Sequence, residues 1–210
     1  MSINIKKKEN YWNSFYKKFN FISPSPFAKF VLRKIKKKKF LLEVGCGNGR
    51  DTFFFIKNKI NCHAYDISGT AIKKNRIFIK KVFYVRNICK KQNKINSNFY
   101  DYVYARFFLH AINEIEQNFF FINCKKILKK KGFIYLEFRT IKDNLFNKGK
   151  KISKYERVTD HYRRFIDPKK LVHKLKNKYN FKICYLKSSY KFAIFRDQKP
   201  HVCRIILKNL

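Results

Sequence analysis

Along the chain, short apolar runs alternate with longer stretches in which lysines are spaced among apolar residues. "KFLLEV" (39–44) is an apolar run that stops at glycines, the pattern of a strand buried on both faces. "RDTFFFIKNK" (50–59) fits a helix, and "INCHAYDI" (60–67) a second strand closing on Asp66. "SGTAIKKNRIFIK" (68–80) reads as a helix with Ser68 as its N-cap. "KVFYVRNI" (81–88) and "FYDYVYARFF" (99–108) are the third and fourth strands. A helix over 113–131 carries its lysines late, where the negative end of the helix dipole favours them, with Gly132 as its expected C-cap. "FIYLEFR" (133–139) is a fifth strand, and the polar, unpatterned stretch 140–160 is expected to be a loop or lid. Asp167 and Pro168 open a helix over 167–179. "FKICYLKSS" (181–189) and "HVCRIILKN" (201–209) then close the chain as two strands with no helix between them.

This order predicts an α/β fold: a Rossmann-like, doubly wound, mostly parallel seven-stranded sheet with an antiparallel C-terminal hairpin. A length of 210 residues suits one core. The expected organisation is an N-terminal helical cap over 1–38 followed by one domain over 39–210. No run approaches the ~18 apolar residues of a membrane span, and the basic N-terminus has no apolar signal region. A soluble, cytoplasmic protein is therefore expected. Cys46, Cys62, Cys89, Cys124, Cys184 and Cys203 are scattered, with no C-x-x-C pair and no histidine at ligand spacing. That argues against both a metal site and a disulfide framework.

Charge changes the picture less than its size suggests. The formal net charge is +38, from 51 basic and 13 acidic residues. Such a balance fits a nucleic-acid partner or an anionic surface. It also fits a base-biased genome, because lysine rises here together with Asn, Ile, Phe and Tyr. The lysines are spread along the whole chain, which favours the second reading, with nucleic acid kept as the alternative partner.

Three of the six glycines, Gly45, Gly47 and Gly49, fall within five residues at the end of the first strand. In sheets of this kind ligands bind beyond the carboxyl ends of the strands, where glycine lets backbone turn and approach a ligand. Asp66, one half-unit later, can accept hydrogen bonds from ribose hydroxyls. The spacing is not the dinucleotide G-x-G-x-x-G, and no phosphate-binding G-x-x-x-x-G-K-[ST] loop is present. E-x-G-x-G-x-G with its downstream acid resembles motif I and the following acidic position of the class I S-adenosylmethionine-dependent methyltransferases. The resemblance implies that the loop from Gly45 to Gly49, with Cys46 and Asn48, packs against the donor's amino-acid part. It implies that Glu43 acts on that part through water or the ammonium group, and that Asp66 holds the ribose. Ile67, Asn87 and Arg106 complete the implied donor set, Asn87 at the position that meets the adenine amino group.

On the acceptor side, "YARFFLHAINE" (104–114) offers Arg106 and His110, and "DHYRRF" (160–165) offers His161, Tyr162, Arg163 and Arg164. Arginine is scarce in this chain, so Arg139, Arg163 and Arg164 are candidates for a guanidinium clamp on an anionic acceptor. Structural ion pairs to Glu137, Glu156 or Asp160 are the alternative. His110 or His161 is the candidate general base. No adenine N-methylation motif and no cysteine pair for C5 attack on pyrimidines is present. From Tyr11 to Lys208 the stretches "YWNSFYKKFNFISPSPFAKFV", "LLEVGCGNGRDTFFF", "ARFFLHAINE", "LEFRT", "DHYRRF" and "KFAIFRDQKPHVCRIILK" resemble, in order, a group of bacterial class I methyltransferases associated with capsule and surface-polysaccharide biosynthesis. The resemblance implies O-methylation of a sugar or phosphate-bearing glycan precursor. It also implies that Tyr11, Trp12, Tyr16 and Phe27 close over the donor, with a helix packed by its apolar face as the alternative. The tail departs from the group's pattern at Arg196 and Asp197.

Overall fold

The computed structural model of the protein describes residues 5–18, 23–91, 97–195 and 197–210; Arg196 lies outside them. In chain order the elements are α1 (Ile5–Lys18), α2 (Pro26–Leu32), β1 (Phe40–Val44), α3 (Arg50–Lys57), β2 (Asn61–Asp66), α4 (Gly69–Arg76) and β3 (Phe83–Val85). There follow β4 (Tyr100–Arg106), a 3₁₀ turn (Leu109–Ala111), α5 (Glu114–Ile127), β5 (Leu128–Arg139), β6 (Lys150–Lys151), β7 (Glu156–Val158) and β8 (Tyr162–Arg164). Helix α6 (Pro168–Asn177) and strands β9 (Phe181–Ser189) and β10 (Val202–Asn209) end the chain. Seven strands run in the order β3-β2-β1-β4-β5-β10-β9, and β6-β7-β8 form a second sheet. The pairs β1/β2, β2/β3 and β4/β5 are parallel, while β10 is antiparallel to both β5 and β9. The chain divides into two compact units, Met1–Asn87 and Ile88–Leu210.

In the first unit, Leu41 and Leu42 of β1 are fully buried together with Phe27, Phe55 and Phe83, so the unbroken apolar run does mark a two-sided strand. Phe27 is thus core and not part of a lid. Helix α2 begins at Ser25, whose hydroxyl accepts the Ala28 N–H, with Pro26 in its first turn. Ser25 donates its backbone N–H and its hydroxyl to the two carboxylate oxygens of buried Asp51, each at 2.7 Å. Asp51 sits in the first turn of α3, where the positive helix end favours a carboxylate. Ser68 caps α4 as the sequence predicts, accepting the Ala71 N–H. Its own hydroxyl donates to Asn13 of α1 at 2.7 Å, and the same Asn13 oxygen accepts the Thr70 N–H at 3.1 Å.

In the second unit, Asn113 and Glu116 form a reciprocal capping box that starts α5. The helix ends at Ile127 and β5 begins at once, so Gly132 lies inside a strand and is not the expected helix cap. A Cβ there would come within 2.9 Å of the Lys129 carbonyl oxygen and 3.0 Å of the Asp101 carbonyl oxygen. Glycine is therefore required by close backbone approach, next to a register shift between Tyr100 and Tyr102 in the β4/β5 pairing. The stretch 140–160, expected as loop, contributes β6 and β7, and its antiparallel pairing with β8 places His161 and Arg163 on an ordered scaffold. Glu137 of β5 is buried between two guanidiniums: Arg106 Nε of β4 at 3.1 Å and Arg204 Nε of β10 at 2.7 Å. Burial pushes the Glu137 carboxyl pKa up, and the two arginines oppose the shift. Removing one partner of a buried ion pair leaves uncompensated charge. Glu137→Gln is accordingly expected to lower the unfolding free energy by about 3–5 kcal/mol in urea titrations. A loss below about 1 kcal/mol, the scale of an exposed pair, would show that the fork does not hold β4, β5 and β10 together.

Candidate functional site

The first unit carries the donor-side candidates. Gly45, Gly47 and Gly49 have φ of 73°, 53° and 73°, left-handed values that explain why all three positions are glycine. The turn is fixed from β2: the N–H groups of Gly45 and Cys46 donate to the Tyr65 carbonyl oxygen at 2.8 and 3.2 Å. Asp66 then closes it, one carboxylate oxygen accepting the Gly47 N–H and the other the Ser68 N–H, each at 2.8 Å. Burial raises the Asp66 pKa, while the N–H groups of Ser68, Gly47 and Ile67 pull it back. Ile67 thus contributes through its backbone.

Glu43 ends β1 buried, with the Thr52 hydroxyl donating to it. Burial, and then the neighbouring Asp51, carry its pKa well up. Cys46 is buried, and burial together with Asp66 and Glu43 drives its thiol pKa well up, so it is no nucleophile. Asn48 is half-buried in the loop, and Asn87 is half-buried two residues past β3. Sequence reasoning missed Asn75, whose amide donates to the Gly47 carbonyl at 2.8 Å. Asn75 is buried on α4, and no local sequence signal marks it, because its partner lies 28 residues away.

Over this loop lies α1. Tyr11, Trp12, Phe15 and Tyr16 make a ring ladder, with Tyr11 edge-on to Trp12 at 5.0 Å and Trp12 stacked on Tyr16 at 5.9 Å. The Tyr16 hydroxyl is enclosed above Gly47, where a Cβ would collide with it. Burial, then Asp66 and Cys46, push its pKa well up. The space over Gly47 is therefore filled by the Tyr16 side chain and not by backbone.

The second unit carries the acceptor-side candidates, and three of them, Arg106, His110 and Arg139, group around a strained residue that sequence reasoning passed over. Phe107, directly after β4, has φ of 55°, an outlier for a bulky side chain. Its ring contacts the guanidiniums of Arg106 at 4.1 Å and Arg139 at 5.5 Å and meets His110 edge-on at 5.1 Å. Arg106 therefore groups with the acceptor-side residues of this unit. The Arg139 guanidinium pairs with Asp143, at 3.0 and 2.9 Å from its two oxygens, a partner not foreseen among Glu137, Glu156 and Asp160.

The two histidines have opposite tautomers. His110 Nδ1 accepts the Arg139 N–H at 3.2 Å, so a neutral ring carries its proton on Nε2 and presents a donor. Burial first, then the charges of Arg139, Arg163, His161 and Arg106, push its pKa well down. His110 is thus not arranged as a base. His161 Nδ1 faces the Asp160 carboxylate at 2.9 Å and must donate to it, which puts the lone pair on Nε2. Burial and Arg163 lower its pKa to about 4 against the pull of Asp160. Burial alone would raise Asp160, yet Arg163, Thr159 and His161 hold it far below the usual carboxylate range.

Arg163 and Arg164 do not form one clamp, because adjacent strand residues point to opposite faces. Arg163 bonds Asp160 at 2.6 Å and the Thr159 hydroxyl. Arg164 turns away to the Ile112 carbonyl at 3.0 Å and the Gln117 side-chain oxygen at 2.5 Å. Tyr162 shares that second face, its hydroxyl 2.5 Å from Glu156, so Tyr162 and Arg164 are structural. Among the described residues no His, Cys, Asp and Glu cluster could hold a metal ion, and no helix is long and apolar enough to cross a membrane.

Residues 42–134 match the family model described as a methyltransferase domain. Among curated proteins none matches the sequence. Among solved structures, a SAM-dependent methyltransferase from Methanosarcina mazei superposes with a TM-score of 0.74 at 16% identity, over 86% of this chain and 97% of that one. The 1,6-didemethyltoxoflavin-N1-methyltransferase of Burkholderia thailandensis, with its substrate and S-adenosylhomocysteine bound, gives 0.65 at 12% over 88% and 76%. Geranyl diphosphate C-methyltransferase of Streptomyces coelicolor A3(2), bound to Mg2+, geranyl diphosphate and S-adenosyl-L-homocysteine, gives 0.68 at 8% over 98% and 97%. At these identities the likeness is one of fold, and the fold is the Rossmann-like methyltransferase fold.

The lowered histidine pKa values fix the sign of a pH dependence. An unfolded histidine protonates near 6.5 and folded His161 near 4, so the folded state binds fewer protons between these values. Stability is full above pH 6.5 and is lost as pH falls toward 4, by about 3 kcal/mol for His161. Urea titrations from pH 8 to 4 should show this fall, and His161→Gln should flatten it. An unchanged slope in the variant would refute the assignment.

Proposed function

We propose that this chain is an S-adenosylmethionine-dependent O-methyltransferase acting on an anionic sugar or phosphate-bearing precursor of a surface glycan. The observation that carries the donor half is the loop of three left-handed glycines tied to Asp66 by the Gly47 N–H. Gly45, Gly47 and Gly49 let backbone approach the donor's amino-acid part, Glu43 lies at its ammonium end, and the Asp66 carboxylate takes the ribose hydroxyls. Asn87 meets the adenine. When bound, the donor supplies a methyl group on a positive sulfur, so alignment of the attacking oxygen contributes much of the rate.

For the acceptor half, Arg106, Arg139, Arg163 and Arg204 are set against Glu137, Asp143 and Asp160, which leaves one positive charge in excess. An anionic acceptor neutralises that excess. The Streptomyces neighbour binds geranyl diphosphate, so the fold itself tolerates a diphosphate-bearing acceptor. His161, oriented by Asp160, takes the acceptor's proton on Nε2, and His110 donates from Nε2 to hold an acceptor oxygen. The guanidiniums that weaken His161 as a base also stabilise the oxyanion that forms as the proton leaves, so the two effects offset each other. On the donor side, Tyr11 and Trp12 belong to the α1 ring ladder that covers the glycine loop. The capsule and surface-polysaccharide assignment rests on the ordered sequence stretches.

Three experiments test this reading. Labelled methyl groups from S-adenosylmethionine, offered with fractionated cell extract, should enter surface glycan or its nucleotide-linked precursors. Label confined to RNA would replace the reading with an RNA methyltransferase. Gly47→Ala should abolish transfer and weaken donor binding at least about tenfold by calorimetry, since its φ disfavours any side chain. Gly69→Ala, where nothing lies within 4 Å, should bind normally. With the acceptor in hand, His161→Gln should lower kcat by about 10²–10³-fold at unchanged donor affinity, the usual worth of a positioned base. His110→Gln should act on acceptor KM instead. Equal kcat losses in both would refute the division of roles.

A further inference from the structure

The first unit exposes two neighbouring apolar side chains that its core does not explain. Ile77 and Phe78, just past α4, are 77% and 76% exposed, the highest values among the large hydrophobic residues described. One exposed apolar residue is ordinary, whereas two adjacent ones form an apolar patch. Phe78 is not loose: its ring meets Phe53 edge-on at 5.8 Å, and Phe53 packs on the small core of Cys46, Ala64, Ile72 and Phe83. The patch is therefore anchored to the core.

Around it the charge has one sign. Lys73, Arg76, Lys80 and Lys81 are all exposed, and Lys73, Arg76, Ile77 and Lys80 line one shallow concavity. Between Asp66 and Asp101 every charged residue is a lysine or an arginine. Cations in the last turn of α4 also serve the helix dipole, but Lys80 and Lys81 lie beyond the helix, and the dipole gives no reason to expose Ile77 and Phe78. An apolar tip ringed by lysines complements a surface that offers hydrocarbon beneath negative headgroups. Single-stranded nucleic acid would match the charge and could stack on Phe78, but it offers nothing to the aliphatic Ile77.

We propose that Ile77 and Phe78, with Lys73, Arg76, Lys80 and Lys81, form a docking surface for an anionic phospholipid membrane. The tip enters the headgroup region while the cations meet lipid phosphates. Helix α4 starts at Ser68, beside Asp66, and its eight residues span about 12 Å, so docking holds the donor loop close to the membrane surface. The proposal is independent of the acceptor assignment.

The test must separate apolar insertion from the attraction any chain of this charge feels. Full-length protein is sedimented with phosphatidylcholine vesicles, with and without phosphatidylglycerol, at physiological salt. Wild type should bind the anionic vesicles. Ile77→Ser/Phe78→Ser, which leaves the net charge unchanged, should bind them at least about a hundredfold more weakly, on the scale of two apolar side chains removed from water. Ile115→Ser, at a 67% exposed position on α5, should bind as wild type does. Donor affinity reports folding, and Ile77→Ser alone serves if the double variant fails that check. Equal binding of wild type and variant would overturn the proposal in favour of charge alone. So would an equal loss in Ile115→Ser, or no vesicle binding with a variant-sensitive affinity for an RNA oligonucleotide.

Discussion

A carboxylate can stay buried only where donors surround it, and this chain has few to place. Of its 13 acidic residues, Glu43, Asp51, Asp66, Glu137 and Asp143 are buried. Each one ties segments that are distant in sequence or shapes a turn. Asp51 holds the start of α2 against α3, Asp66 joins the glycine loop to the start of α4, and Glu137 spans three strands. Asp143 anchors Arg139 and accepts the Leu145 N–H, which turns the chain after β5. In a chain carrying +38, exposed carboxylates would gain little from pairing with solvated lysines. The interior ones organise the backbone that the chemistry depends on.

The same electrostatics separates the two histidines. Burial first, and then the neighbouring guanidiniums, keep each of them neutral, so neither works by its charge, and what distinguishes them is the partner on Nδ1. A backbone N–H makes His110 a donor, whereas a carboxylate makes His161 an acceptor. The strained backbone at Phe107 fits this picture. Its ring stands between two cations and against His110, and its N–H donates to the Glu137 carbonyl at 2.8 Å. A left-handed conformation costs about 1–2 kcal/mol for such a residue, and its ring contacts with two guanidiniums are of the same order.

How much of this was legible in the sequence depends on the range of the interaction. The order of strands and helices, the Ser68 and Asp167 caps and the glycine loop are local signals, and they read correctly. Gly132 was misread because a helix cap and a backbone contact leave the same letter, and the contact involves Asp101, far away in sequence. The stretch 140–160 hid two strands of two and three residues, too short to show a period of two. The glycine turn and Asp66 at the end of β2 were readable as structure, but the alternation that sends Arg163 and Arg164 to opposite faces became visible only with β8. The tautomers of His110 and His161 could not be read, since they depend on which long-range partner meets each Nδ1.

The N-terminal helix illustrates how a site can be covered without being closed. Polar contacts at two points tie α1 to α4: Asn13 to Ser68 and Thr70, and Lys74 to the Tyr16 and Lys17 carbonyls. Each such bond contributes about 1 kcal/mol net, so together they hold the helix with a few kcal/mol. Donor affinities in the micromolar range correspond to about 8 kcal/mol, which exceeds that tie. A ligand at Gly47, on the proposed reading, would displace the Tyr16 ring while β1 and the loop stay held by their hydrogen bonds to β2 and to Asn75 of α4. The cover is weak where it must move, and the cradle beneath it is fixed by a buried carboxylate.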